Sequence, residues 1–342
     1  MMFKPEQSDA AERAPAAAAA AGRFEIDDPC AYEFASAPWE ILAEPIARGS
    51  FANRKDFLVT SSLIIYREDF SGPIHVRGMS PQGMLAVALP MRVGDKSRYW
   101  GTSPAGSTLP ATLPGGLDVV LDAGQEQLVV LVALELLRRS LPDDVADSLE
   151  KGAVLRQLPV LGHESAALGR WLLTVIDMAK RQGDPASLSA FSRAVEEEFP
   201  WRLARACLVD SSCISRREVP ARRRALDRAM EFLRNADIAS VDVGDLCRAA
   251  IVSPRTLEYG FREELGLSPL RFLRLLRLHM ARRELAAAQG GSTTVADIAD
   301  RFGLLHHSRF AAEYGSLFGE RPSQTLSRPP PQVVSPLLLG KS

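Results

Sequence analysis

The chain has 342 residues, 46% hydrophobic and 24% charged, with a formal net charge of −1. That length favours two domains with cores of their own, and the composition is that of a globular protein rather than a disordered or fibrous one. No run approaches the roughly 18 uncharged apolar residues of a membrane span, and Cys30, Cys207, Cys213 and Cys247 show no CxxC spacing, which argues against a disulfide scaffold and for a cytoplasmic setting.

Residues 1–23, including "AAERAPAAAAAAG", lack the basic and greasy regions of a secretion signal and are expected to be a disordered, low-complexity lead-in. Between Phe57 and Leu134 the pattern is short and β-like: "FLVTSSLIIY", "PIHV", "GMLAVALP", "LDVVL" and "QLVVLVAL", divided by "SGP", "SPQG", "SPAGS" and "LPGG". Many short strands with turn signals predict a sandwich or barrel. Residues 24–140 contain only His75, too few histidines for the metal cluster of a cupin-type barrel, so a binding pocket is the better reading. Trp39, Tyr66, Tyr99 and Trp100 are its candidate ligand-binding residues, with plain core packing as the alternative.

From Leu134 the period becomes helical, through "ALELLRRSL", "PDDVADSLEKG" opening at Pro142, "ALGRWLLTVIDMAKR" and "SLSAFSRAVEEEFPWRLARACLV". Their apolar stripes would pack on the barrel or on the same helices of a second subunit. His163, at the head of a helix, reads as a surface or capping residue. "SSCISRREVPARRR" is the expected linker to a basic segment: Arg216 to Arg328 holds 19 Arg, no Lys and 14 Asp plus Glu, a net of +5 against −6 elsewhere. An arginine-only basic domain on an acidic partner suits a polyanion, although solvated helix faces produce similar counts.

That segment contains a repeat. Leu257, Phe261, Gly266 and Pro269 are spaced 4, 5 and 3 apart, and Phe310, Tyr314, Gly319 and Pro322 repeat the spacing. In the first copy Asp242 caps "VGDLCRAA", the chain turns at "IV", and Ser253 with Pro254 opens "PRTLEYGFREEL", ending at Gly266. In the second, Thr294 caps "VADIADRF", Gly303 ends it, and a helix opens at His306 or His307 and runs to Gly319. Helix, tight turn, helix, with apolar residues at i and i+4, predicts two helix-turn-helix units. Between them Ser268 and Pro269 start a helix of about 20 residues, roughly 30 Å long.

"VSPRTLEYGFREELGLSPLRFLRLLRLHMARREL" followed by "TTVADIADRFGLLHHSRFAAEYGSLFGERPS" resembles the DNA-binding domain of the AraC/XylS family of bacterial transcription regulators, over about residues 224–328. Within the family, "DLCRAAIVSPRTLEYGF", "RRELAAA" and "HHSRFAAEYGSLFGERPSQTL" are most similar to the ethanolamine-operon regulator subgroup, and "LPATLPGGLDVVL" extends a fainter likeness into the N-terminal half. The resemblance implies an α+β chain. An N-terminal β-barrel-like, cupin-like sensor domain with following helices would occupy residues 24–215, and a seven-helix DNA-binding domain residues 216–328, with 329–342 as a flexible tail. It also implies homodimerisation through the helices, a small-molecule effector, and RNA polymerase as a further partner.

Matched residue by residue, the first reading helix would turn Arg255, Thr256, Glu258 and Tyr259 to base edges, opened by Ser253, with Arg262 nearer the phosphates. The second would offer His307, Ser308 and Arg309, with His306 at its mouth. Leu304 and the pair Ala312 and Glu313 depart from the family pattern, so the first helix is expected to discriminate more. Chemistry supports the first set: Arg255 can fork onto guanine O6 and N7, and Glu258 can accept from cytosine N4. The competing reading is an exposed i,i+3 pair between them. Gly260 costs roughly 1 kcal/mol of helix propensity, which implies close packing against the preceding helix. Adjacent residues point about 100° apart on a helix, so His306 and His307 cannot ligate one metal as an i,i+4 pair would, and a DNA contact or helix-start role is expected. No nucleophile–base pair or ligand cluster stands out in residues 24–215, so no catalytic residue, cofactor or metal is expected. An enzyme with a DNA-targeting tail and a protein–protein adaptor without DNA binding remain the competing functions.

Overall fold

The computed structural model describes residues 19–46, 51–207, 221–288 and 293–328. Most of the expected lead-in, most of the linker, and the 329–342 tail lie outside the described residues.

The N-terminal part runs β1 (Ala20–Ile26), α1 (Pro29–Ala35), β2 (Glu40–Pro45), β3 (Asn53–Val59), β4 (Leu63–Phe70), β5 (Ile74–Met79), β6 (Met84–Arg92), β7 (Arg98–Tyr99), β8 (Thr108–Thr112), β9 (Gly116–Leu121) and β10 (Glu126–Ala133). It continues with α2 (Leu134–Ser140), α3 (Asp143–Val154), β11 (Gln157–Pro159), α4 (Gly162–Ala179) and α5 (Pro185–Ala206). Among the described residues these strands form a seven-stranded sheet, β1-β3-β4-β10-β6-β8-β11, and a four-stranded one, β2-β5-β9-β7. The expected barrel is therefore an unclosed pair of sheets. β1 also begins at Ala20, inside the segment read as a disordered lead-in, and pairs along its length with β3.

The apolar runs of β4 and β10 follow from burial on both faces. Leu63, Ile65, Leu128, Val130 and Val132 face the helices, whereas Ile64, Tyr66, Val129 and Leu131 face the second sheet. "FLVTSSLIIY" is not one strand but the hairpin β3–β4, because Glu196 of α5 reaches the turn: it accepts from Ser62 N at 2.7 Å, from Ser61 Oγ at 2.9 Å, and from Thr60 Oγ1. Leu168, Leu172, Val175 and Ile176 of α4, with Val195, Phe199 and Leu203 of α5, are buried against this sheet. The helical stripes are thus largely covered within the chain.

The C-terminal part runs α6 (Ala221–Asn235), α7 (Val243–Ala250), α8 (Pro254–Leu265), α9 (Pro269–Ala287), α10 (Val295–Arg301), α11 (His307–Phe318) and α12 (Pro322–Ser327). Its ends are set by local chemistry. Asp242 and Asp245 form a capping box on α7, and Thr294 and Asp297 one on α10. Ser253 and Ser268 cap α8 and α9, with Pro at the first helical position. Gly266 and Gly319 end α8 and α11 in the left-handed region, at φ 66° and 73°. Ile251 takes that conformation too, at φ 56°, in the α7–α8 turn, a strained choice for a β-branched residue. α9 joins two cores: Phe272, Leu273, Leu275 and Leu276 pack with α6, α7 and α8, while Leu278, Ala281 and Leu285 pack with α10 and α11. The repeat is a packing repeat, since Leu257 and Phe261 fill the first core where Phe310 and Tyr314 fill the second.

Candidate nucleic-acid interface

α8 buries Leu257, Phe261 and Leu265, which turns Arg255, Tyr259 and Arg262 to solvent. Ser253 accepts from Thr256 N at 3.2 Å, so it opens the helix as expected. Arg255 donates to Tyr259 Oη at 3.1 Å, its guanidinium lying 5.5 Å from the ring, and has no carboxylate partner among the described residues. Glu258 pairs with Arg262 at 2.7 Å rather than with Arg255. Gly260 does allow a close approach, but of α6 rather than of α7: a Cβ there would stand 2.9 Å from the Arg222 carbonyl oxygen.

On α11, His307, Ser308 and Arg309 are exposed, and His306 is the N-cap residue but makes no side-chain capping bond. His307 Nε2 lies 2.7 Å from Asp300 of α10, a partner seven residues away that helical spacing does not flag. Glu313 bridges Arg309 at 2.8 Å and Arg274 of α9 at 2.7 Å, which keeps its carboxylate low and explains an acidic residue on this helix.

Trp39, Tyr66, Tyr99 and Trp100 all line one cavity between the two sheets, about 600 Å³ with its open mouth included. Sequence reasoning missed its polar floor. Lys55 and Glu68 face each other across the β3–β4 ladder and pair at 2.9 Å with side chains only 1% and 4% exposed. The Lys55 ammonium lies 4.6 Å and 4.5 Å from the Tyr32 and Tyr66 ring centres, and burial lowers its pKa. Opposite charges at inward-facing, cross-strand positions were the signal available in the sequence.

A second set of missed residues ties this region to the helices. α1 supplies Tyr32 to the cavity wall, and its next residue, Glu33, accepts from Arg283 of α9 at 3.0 Å and lies 2.7 Å from His279 Nδ1. Burial alone would raise the Glu33 carboxyl, yet Arg283 and His279 hold it at about 2. Asp28, the N-cap of α1, binds Arg282. Further along, Glu264 of α8 pairs with Arg156, and Arg223 of α6 donates to Leu113 O at 3.1 Å. "LPGG" is more than a turn: Cβ atoms at Gly115 and Gly116 would collide with Arg223 and Glu264, at 2.3 Å and 2.7 Å.

Among the described residues no group of three or more His, Cys, Asp or Glu is placed to hold a metal, and no helix is long and apolar enough to cross a membrane.

Residues 246–328 match a family described as a helix-turn-helix domain. A probable thc operon regulatory protein of Rhodococcus erythropolis is 30% identical over 207 residues, covering 58% of this chain and 62% of that protein, so less than two thirds of that relative is spanned. The XylDLEGF operon transcriptional activator 2 of Pseudomonas putida is 32% identical over 117 residues, 34% of this chain and 74% of that protein. Of solved structures, the AraC-like transcriptional activator CuxR aligns over 82% of this chain and 99% of its own with 15% identity and a TM-score of 0.39. ToxT from Vibrio cholerae aligns over 90% and 98%, with 10% identity and a TM-score of 0.33.

Proposed function

This chain belongs to the AraC/XylS family of transcriptional regulators, and from that premise we propose that it reads DNA through two helix-turn-helix units, α7–α8 and α10–α11, under control of a small molecule held between its sheets. The observation that carries this reading is α9, a single 19-residue helix, about 28 Å long, that roots both cores beneath exposed polar helix faces. Adjacent major-groove faces lie about 34 Å apart along one side of B-DNA, so a monomer would occupy two of them. Residues 216–328 are the DNA-binding unit and 24–215 the sensing and dimerising unit. The base-reading set is Arg255, Thr256, Glu258 and Tyr259 with His307, Ser308 and Arg309, while Ser253, Arg262 and His306 serve the helix starts and phosphates.

The homodimer contact belongs on the outer face of α4 and α5, where Met178 and Trp201 are 45% and 55% exposed. RNA polymerase is the partner a regulator of this family would engage from DNA. A kinship with ethanolamine-operon regulators would rest mainly on the DNA-binding half, with only the fainter likeness around "LPATLPGGLDVVL" in the N-terminal half. The signal from the cavity would travel through α1, because adjacent residues of that short helix serve the cavity wall and the ion pairs to α9.

The test is binding of full-length protein to its own promoter region over a salt series, with a footprint. Affinity should fall steeply from low to physiological salt as counterions return to the phosphates, and protection should cover two adjacent major grooves per subunit. Salt-independent affinity would favour the adaptor reading.

A further inference from the structure

We propose that the cavity between the two sheets takes an uncharged, planar aromatic molecule, rather than an organic anion or a small ammonium ion. The proposal rests on reading this cavity as the effector site.

The walls decide the shape. Trp39, Tyr66, Tyr99 and Trp100 line the cavity, and Val76, Val119 and Val129 are among the aliphatic side chains between them. Such aromatic and aliphatic walls suit a flat apolar body, because aromatic rings stack or meet edge to face at little cost in order.

The polar floor decides the charge. Every polar group on it is already paired within the protein. Lys55 holds Glu68 at 2.9 Å and Ser36 Oγ at 2.6 Å. Glu68 also accepts from Gln127 Nε2 at 2.9 Å and from Tyr32 Oη at 3.3 Å. Gln127 in turn accepts from Tyr99, and Tyr66 Oη donates to Ala37 O at 2.7 Å. The floor therefore carries one cation and one anion that neutralise each other.

A carboxylate entering here would have to separate Lys55 from Glu68 and leave the latter buried without its counter-charge, which is strongly unfavourable. An ammonium ion fares no better. Three of the lining rings already carry a cation, Tyr32 and Tyr66 the Lys55 ammonium and Trp100 the Arg156 guanidinium, and the carboxylate it would need is taken. An uncharged ligand disturbs neither. One donor remains: the Trp39 indole N–H has no hydrogen-bond partner among the described residues, whereas that of Trp100 donates to Gly116 O at 2.9 Å. The ligand's polar part is thus at most a small uncharged group such as a hydroxyl or a carbonyl.

The experiment is calorimetric titration of the full chain at neutral pH with three probes of one skeleton: 2-naphthol, 2-naphthoate and 2-naphthylmethylammonium. The naphthol should bind roughly tenfold or more tightly than either ion, and Trp39→Ala should weaken it while Trp171→Ala, on α4 outside the cavity, should not. Tighter binding of naphthoate or of the ammonium probe would overturn the ligand class and leave the cavity standing as the effector site. Binding of none of the three up to millimolar concentration would overturn both. Glu68→Gln alone leaves the Lys55 cation without its counter-charge, so in a folded variant the preference should shift from the naphthol toward naphthoate. An unchanged preference in a variant with an unchanged circular-dichroism spectrum would also count against the proposal.

Discussion

At the scale of single residues, Arg255 and Arg262 sit on one helix yet differ in what surrounds them. Arg255 rests against Tyr259 with no carboxylate beside it, whereas Arg262 is paired with Glu258. Arg255→Ala should cost roughly 1–3 kcal/mol at the cognate site and relax one base position. Arg262→Ala should weaken all sequences alike, because it removes a phosphate partner. Gel-shift titrations on cognate and random duplexes separate the two; equal losses on both for Arg255→Ala would make it a phosphate contact. Asp227 of α6 is a second case. Burial, with Glu264 nearby, lifts its carboxyl to about 6 against the opposing pull of Arg223. In the window between the ordinary Asp value and 6 the folded chain binds more protons than the unfolded one, so stability falls as pH rises through it. Asp227→Asn should therefore stabilise the protein by about 1–2 kcal/mol at pH 7.5, allowing for partial solvent screening, and the gain should vanish near pH 4 in denaturant melts.

At the scale of elements, α1 is the piece that sequence patterning does not see. It is seven residues long, too short for a periodic apolar face, and its charged residues look like ordinary surface groups. Only the fold shows Glu33 buried between Arg283 and His279. Glu33→Gln would leave Arg283 with a neutral partner and should destabilise the chain by about 3 kcal/mol. If α1 carries the signal, the same change should alter the DNA affinity of full-length protein, while Glu25→Gln, in an exposed pair with Arg54, should alter neither quantity. Lower stability with unchanged DNA affinity would reduce α1 to a structural tie. By contrast the capped helices from Asp242 onward are readable residue by residue, because Ser, Thr, Asp, Gly and Pro at helix ends act through their own neighbours. The hairpin at Thr60–Ser62 is not, because the group that satisfies it, Glu196, lies more than 130 residues away.

At the scale of the whole molecule, the boundary drawn at residue 216 divides the sequence but not the core. Leu42 of β2 and Met79 of β5 are buried in the cluster formed by α6, α7, α8 and α9, and Arg282, Arg283, Arg223 and Glu264 bind the sheet-bearing part. The chain should therefore unfold in one calorimetric transition at low salt; two well-separated transitions would show that the contacts between the parts contribute little.

The sequence by itself determined the DNA-reading half, its repeat, its helix ends and the exposed face of α8, because helix caps and 3.6-residue periodicity are local and act within a few positions. It also picked out the four aromatic residues that line the cavity, as side chains too large to be neutral wherever they fall. Only the tertiary structure decided that the sheets stay unclosed, that Lys55 and Glu68 neutralise each other inside the cavity, that Gly115 and Gly116 seat Arg223 and Glu264, and that α1 joins cavity to helix. Each of those depends on groups distant in the chain meeting where water is excluded, and the strength of a charge or the need for a missing Cβ is set by that meeting rather than by the residues alone.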